Sequence, residues 1–110
     1  MYRTMIVAKM RPDAAKPIAE VFGESDTSTD LPALVGVRAR SLFQFNEVYL
    51  HLIEGDRPIA AAVAEVAGHP AFRQISNDLR PYVAAYDPET WREPKDAMAH
   101  EFYRWERRSS

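Results

Sequence analysis

From Val35 to Glu54 the chain reads Val-Gly-Val-Arg-Ala-Arg-Ser-Leu-Phe-Gln-Phe-Asn-Glu-Val-Tyr-Leu-His-Leu-Ile-Glu. Two arms rich in β-branched and aromatic residues flank the polar pair Asn46-Glu47. That pattern predicts an antiparallel hairpin with a two-residue joint. The Asn-Gly dipeptide that best favours such joints is absent, which leaves the turn type open. Pairing Phe45 with Val48 sets the register, and side chains then alternate between faces. One face collects Val35, Val37, Ala39, Ser41, Phe43, Phe45, Val48, Leu50 and Leu52. It is almost wholly apolar and is expected to lie under helices. The other collects Arg38, Arg40, Leu42, Gln44, Tyr49, His51 and Ile53, with His51 opposite Leu42 and diagonal to Arg40. That second face reads either as a pocket wall or as a wet sheet face with solvated charges.

The rest of the composition excludes several function classes. A length of 110 residues fits one domain, 1–110. A net charge of −2 argues against a nucleic-acid binder, which would show a basic stripe. The absence of cysteine rules out disulfides and thiolate metal sites, and His51, His69 and His100 lack metal-ligand spacing. No metal and no cofactor is therefore expected. No apolar run is long enough to span a bilayer and no signal-peptide layout is present, so a soluble cytoplasmic protein without membrane partners is the expectation.

Taken in order, Tyr2 to Met10 predicts a first strand. Arg11-Pro12-Asp13 predicts its end and a helix start, with Asp13 as N-cap and Pro17 inside the first turn. Ile18, Val21 and Phe22 follow at helical spacing. Gly23 to Pro32 reads as a polar connection. Its Asp26 and Asp30 serve turn and cap chemistry, or the segment crosses the pocket and supplies a carboxylate. After the hairpin, Ile59, Val63 and Val66 mark a helix ended by Gly68. His69-Pro70 opens another helix, with Phe72, Ile75 and Leu79 facing inward and His69 as its entry residue. Pro81 to Tyr86 reads as a last strand at an edge.

The order βαββααβ predicts an α+β fold: a ferredoxin-like sandwich with an antiparallel sheet and helices on one face. The uncovered face is expected to carry Leu42, Tyr49 and Ile53. Two such faces packed together would close a dimeric α+β barrel around Arg40 and His51, so a homodimer is expected. Residues 87–110 form a proline-punctuated loop and an aromatic C-terminal arm, expected to dock on the sheet or across the dimer. Arg107 to Ser110 are expected to fray.

Several stretches resemble the small aromatic (type II) polyketide cyclases of the tetracenomycin cyclase type. They are Tyr-Arg-Thr-Met-Ile-Val-Ala-Lys-Met at the start, Phe-Gly-Glu-Ser-Asp, Leu-Pro-Ala-Leu-Val-Gly-Val, Val-Tyr-Leu-His-Leu-Ile-Glu, and the tail from Tyr86 to Trp105. The resemblance implies the dimeric barrel and a cofactor-free ring closure, dehydration and aromatisation of a poly-β-ketone in bacterial aromatic polyketide (antibiotic or pigment) biosynthesis. It places the family's polar pocket residues on Asp26, Arg40 and His51.

In that chemistry Arg40 would hold a carbonyl or enolate oxygen. His51 or Asp26 would move protons, with His51 favoured because its ordinary pKa is nearest neutrality. Tyr49, Leu42, Ile53 and Trp91 would contact the substrate, a small-molecule polyketide either free or tethered to a carrier protein. The competing reading is a cofactor-independent monooxygenase of the same barrel class acting on an anthrone-like aromatic, because fold does not fix function.

Overall fold

The computed structural model describes residues 1–107. Four strands form one antiparallel sheet: β1 (Tyr2–Met10), β2 (Val37–Phe45), β3 (Val48–Gly55) and β4 (Val83–Ala85), in the order β2-β3-β1-β4. Helices α1 (Ala15–Ser28), α2 (Leu31–Val35), α3 (Ile59–Val66) and α4 (Pro70–Leu79) complete the α+β plan, with a 3-10 turn at Pro94–Ala97. The hairpin has the expected register, Phe45 opposite Val48 and Leu42 opposite His51. Asn46 takes a positive φ of 54°, a conformation that asparagine tolerates better than most residues. Arg108, Ser109 and Ser110, at the end of the arm expected to fray, lie outside the described residues.

The sheet is covered on the opposite face from the one expected. Tyr49, His51 and Ile53 are buried, and Tyr49 and Ile53 belong to a core with Ile18 and Phe22 of α1, Val35 of α2, Ile59 and Val63 of α3 and Ile75 of α4. Phe43 and Phe45 are 51% and 69% exposed, and Leu50 and Leu52 only half-buried. The Arg40–His51 face therefore lies beneath the helices, and a barrel closed around those two side chains by a second sheet is ruled out. The expectation assumed that the more apolar face turns inward. That rule weighs only water avoidance; a polar face packs inward when its groups bond to one another and to a helix, as these do.

Four local features differ from the expected ones. Arg38 is the extra residue of an irregularity between Val37 and Ala39, so Val37 pairs with Gly55 and packs with the core. Such a bulge re-aims the side chains beyond it. Val35 is not in the strand at all; it ends α2, and Gly36 follows with a left-handed φ of 82°. At the other end of the site, the helix expected to stop at Gly23 continues through Ser28. Thr27 donates to the Gly23 carbonyl and Thr29 to the Ser25 carbonyl. These hydroxyls bond back along the helix instead of breaking it. Asp13 is not the N-cap; Ala14 takes that place, and Asp13 pairs with Arg11. Pro17 falls in the first turn, where its missing N–H costs nothing. His69 caps α4, its Nδ1 accepting from the Ala71 N–H at 3.0 Å.

Candidate active site

A cavity of about 310 Å³ opens between the sheet and the helices, at the small end of ligand pockets (roughly 300–1,000 Å³). Its floor is Ile6 and Ala8 of β1 with Tyr49, His51 and Ile53 of β3. Phe22, Val35, Val63 and Ile75 roof it from the helices, and Pro94, Ala97 and Met98 close one side. Met98 is held there by a bridge to Ile6, and the Ala99 N–H donates to the Met5 carbonyl at 2.7 Å. Ser76, Arg80, Ala84 and Trp91 line it and are exposed, so they form the rim.

Beside this apolar chamber Asp26, Arg40, His51 and Tyr49 form one connected polar chain. The last turns of α1 bring Asp26 over β2, where its two carboxylate oxygens accept from Arg40 Nε at 2.9 Å and Nη2 at 2.8 Å. That forked geometry fixes the guanidinium plane. The Arg40 side chain is 14% exposed and stands over the Phe22 ring at 4.9 Å. Its Nη1 lies 3.0 Å from His51 Nε2, and His51 Nδ1 lies 3.0 Å from the Tyr49 hydroxyl. The edge contact of Phe22 with His51 at 4.9 Å packs the imidazole from the helix side.

The electrostatics follow from burial beside a fixed cation. Desolvation first, and the Arg40 charge second, pull His51 down to about 3, so the imidazole is neutral at physiological pH. Burial raises the Tyr49 phenol above its usual range, with the Arg40 charge opposing. The phenol is accordingly protonated.

Of the residues singled out by sequence, Arg40, His51, Tyr49, Ile53 and Trp91 line the cavity. Asp26 stands behind Arg40, outside the wall, and Leu42 packs against the core without reaching the cavity. Phe22 was legible only as a packing residue of an amphipathic helix. Ser76 and Arg80 carried no signal, since each reads as an ordinary exposed position of a helix end.

A family model described as polyketide synthesis cyclase matches residues 2–106. The chain belongs to the polyketide synthesis cyclase family. Among its relatives, an uncharacterized protein of Streptomyces coelicolor is 62% identical, over 97% of this chain and 96% of that protein. A Streptomyces cyaneus protein named polyketide synthase CurG is 50% identical, over 97% and 99%. Tetracenomycin F2 cyclase of Streptomyces glaucescens is 39% identical, over 94% of each chain. The solved structure of that cyclase, described as a type-II polyketide cyclase, superposes with a TM-score of 0.90 over 98% of this chain and 100% of its own. For this family member, the shared fold carries a cavity with its polar chain along one wall.

Proposed function

We propose that this protein is a cyclase of aromatic polyketide biosynthesis that closes a ring in a poly-β-ketone without a cofactor. The observation that carries the reading is an apolar cavity walled on one side by Arg40, His51 and Tyr49, with Asp26 bound behind Arg40, in a member of a cyclase family.

A methylene between two carbonyls is acidic enough to exchange its proton with water once its enolate is stabilised. The enolate carbon then attacks a distant carbonyl carbon of the same chain, and the new alkoxide takes up a proton. Loss of water and enolisation give the aromatic ring. The protein must bring the right two carbons together and stabilise negative charge on oxygen. The cavity does the first. Arg40 does the second: it is a permanent cation, held rigid by Asp26, with more N–H groups than the three already engaged. In this reading Asp26 positions Arg40 and does not itself carry the proton, because it stands outside the cavity wall. His51, neutral and bonded through both ring nitrogens, is likewise not the proton carrier.

The outward apolar face, with Phe43 and Phe45 exposed and Met5, Val7, Leu50 and Leu52 half-buried, fits a second copy of this chain, since that much greasy sheet is not left in water. The homodimer proposed here packs these faces together and leaves one cavity in each protomer on the far side of the sheet. The substrate enters at the open rim, either free or tethered to a carrier protein.

Product analysis of a reconstituted type II synthase, with and without this protein, tests the cyclase reading. The expected result is a shift to a ring-closed product that is the same under air and under nitrogen. An unchanged product mixture overturns it, and a product formed only with oxygen makes the protein a monooxygenase.

A further inference from the structure

We infer that Tyr49 donates a hydrogen bond to a carbonyl or enolate oxygen of the bound polyketide, and that His51 is the positioning residue that aims its hydroxyl into the cavity. The inference deepens the cyclase reading above and rests on it. A guanidinium has hydrogens to give and no lone pair to offer. Arg40 Nη1 lies 3.0 Å from His51 Nε2, so Nε2 accepts. A neutral imidazole has one N–H, and it must then sit on Nδ1. Nδ1 lies 3.0 Å from the Tyr49 oxygen, so the ring donates and the phenol oxygen accepts.

The consequence falls on the phenol hydrogen. It is not directed at His51, whose Nδ1 already carries a proton. Among the described residues, the Tyr49 oxygen has no other hydrogen-bond partner. Yet Tyr49 is 4% exposed and lines the cavity. A buried O–H without an acceptor is costly, and the cavity is where an acceptor belongs. A ketone or enolate oxygen there completes the set: it accepts from Tyr49, while Arg40 supplies the nearby positive charge. The phenol stays protonated because burial raises its pKa, which suits a donor and excludes it as a base. The charge of Arg40 is passed on as orientation: Asp26 fixes Arg40, Arg40 fixes the imidazole tautomer, and the tautomer leaves the phenol hydrogen free.

Two measurements on the intact protein decide the matter. In the first, ¹⁵N NMR of histidine-labelled wild type reads which ring nitrogen of His51 carries the proton. Nδ1–H is expected, and Arg40→Met is expected to release that preference. An Nε2–H tautomer in the wild type overturns the inference. In the second, Tyr49→Phe is compared with wild type in ring closure by the reconstituted synthase. Loss of one oxyanion donor is expected to lower kcat by about 10²-fold with KM changed less than threefold. A purely structural role would instead move the folded fraction and leave the kcat of the folded protein intact, and that result overturns the inference. A wild type without ring-closing activity overturns the cyclase reading itself, whereas an active wild type with an equally active Tyr49→Phe overturns the Tyr49 assignment alone.

Discussion

Arg40 Nη1 points at His51 Nε2 across 3.0 Å, which makes a cation the hydrogen-bond donor to an imidazole buried to 4% exposure. A protonated His51 would have to face that cation N–H to N–H, with no acceptor between them. The site therefore holds its histidine neutral, and three properties of the protein follow from how that arrangement is built.

The first is acid sensitivity. His51 has a folded pKa of about 3, against roughly 6.5 in the unfolded chain. Between those values the unfolded chain binds a proton that the folded one refuses. Stability from this group is thus complete above about pH 6.5 and is lost as pH falls toward 3, by up to about 1.4 kcal/mol per pH unit. The groups around the ring are Arg40, Tyr49 and, behind Arg40, Asp26. In His51→Gln these remain and the titrating group is gone. Urea denaturation at pH 7.0, 6.0, 5.0 and 4.0 should show a shallower loss of stability in the variant than in wild type. Parallel pH dependences would contradict the account.

The second concerns how closely β2 and β3 are joined beneath the site. A Cβ built on Gly55 would lie 2.6 Å from the Gly36 carbonyl oxygen and 2.9 Å from Ile59 Cδ1. The first of these is backbone, which the Asp56 N–H also holds by donating to it at 2.9 Å. Gly55→Ala must push the α2–β2 junction away. The expected cost is about 2–3 kcal/mol, read as a lower urea midpoint with an unchanged m-value. Wild-type stability in this variant would show that the junction gives way easily.

The hairpin around which these contacts gather was legible because alternation and a two-residue joint fix register, and register alone put Arg40 diagonal to His51. Which face the helices take was not legible. A strand pattern records that two faces differ, but the choice between them depends on what covers each. Phe43, Phe45, Leu50 and Leu52 read as a core because they are the more apolar set, and apolar content alone does not say which set the helices of the same chain cover. Asp26 was misplaced for a local reason: Gly23-Glu-Ser-Asp-Thr-Ser has the composition of a turn, and only the back-bonded threonines show it continuing as helix. The cavity rim was hidden because Ser76 and Arg80 gain meaning solely from the loop that Trp91 brings beside them.

The third property is the dependence of the guanidinium on its carboxylate. Asp26 accepts two N–H bonds from Arg40, and an asparagine offers one acceptor oxygen and no charge. Asp26→Asn should let the guanidinium rock and loosen its contact with His51. Because the Asp26 side chain is about one-third exposed, the stability loss should stay under about 1 kcal/mol. Turnover should fall about tenfold, equivalent to about 1.4 kcal/mol of lost transition-state stabilisation. Thermal melts and ring-closing rates on the same sample separate the two effects. Full activity in Asp26→Asn would remove the carboxylate from the machinery.

The sheet face turned away from the cavity supplies the last test. Leu50 sits between Phe43 on β2 and Val7 on β1, at the centre of the exposed apolar patch and on the side of β3 opposite Tyr49 and His51. Leu50→Glu places one carboxylate per protomer in the proposed interface, where two would face each other without counter-charge. Burying such groups costs at least about 3 kcal/mol per dimer, more than a hundredfold in association. Sedimentation should show a dimer for wild type at micromolar concentration and a monomer for the variant. A wild type that sediments as a monomer would leave the patch to some other partner. The variant protomer should keep the His51 tautomer signal, because the substituted side chain and the polar chain lie on opposite faces of one strand. Loss of that signal together with the dimer would mean that the second copy holds the cavity in shape as well as covering the sheet.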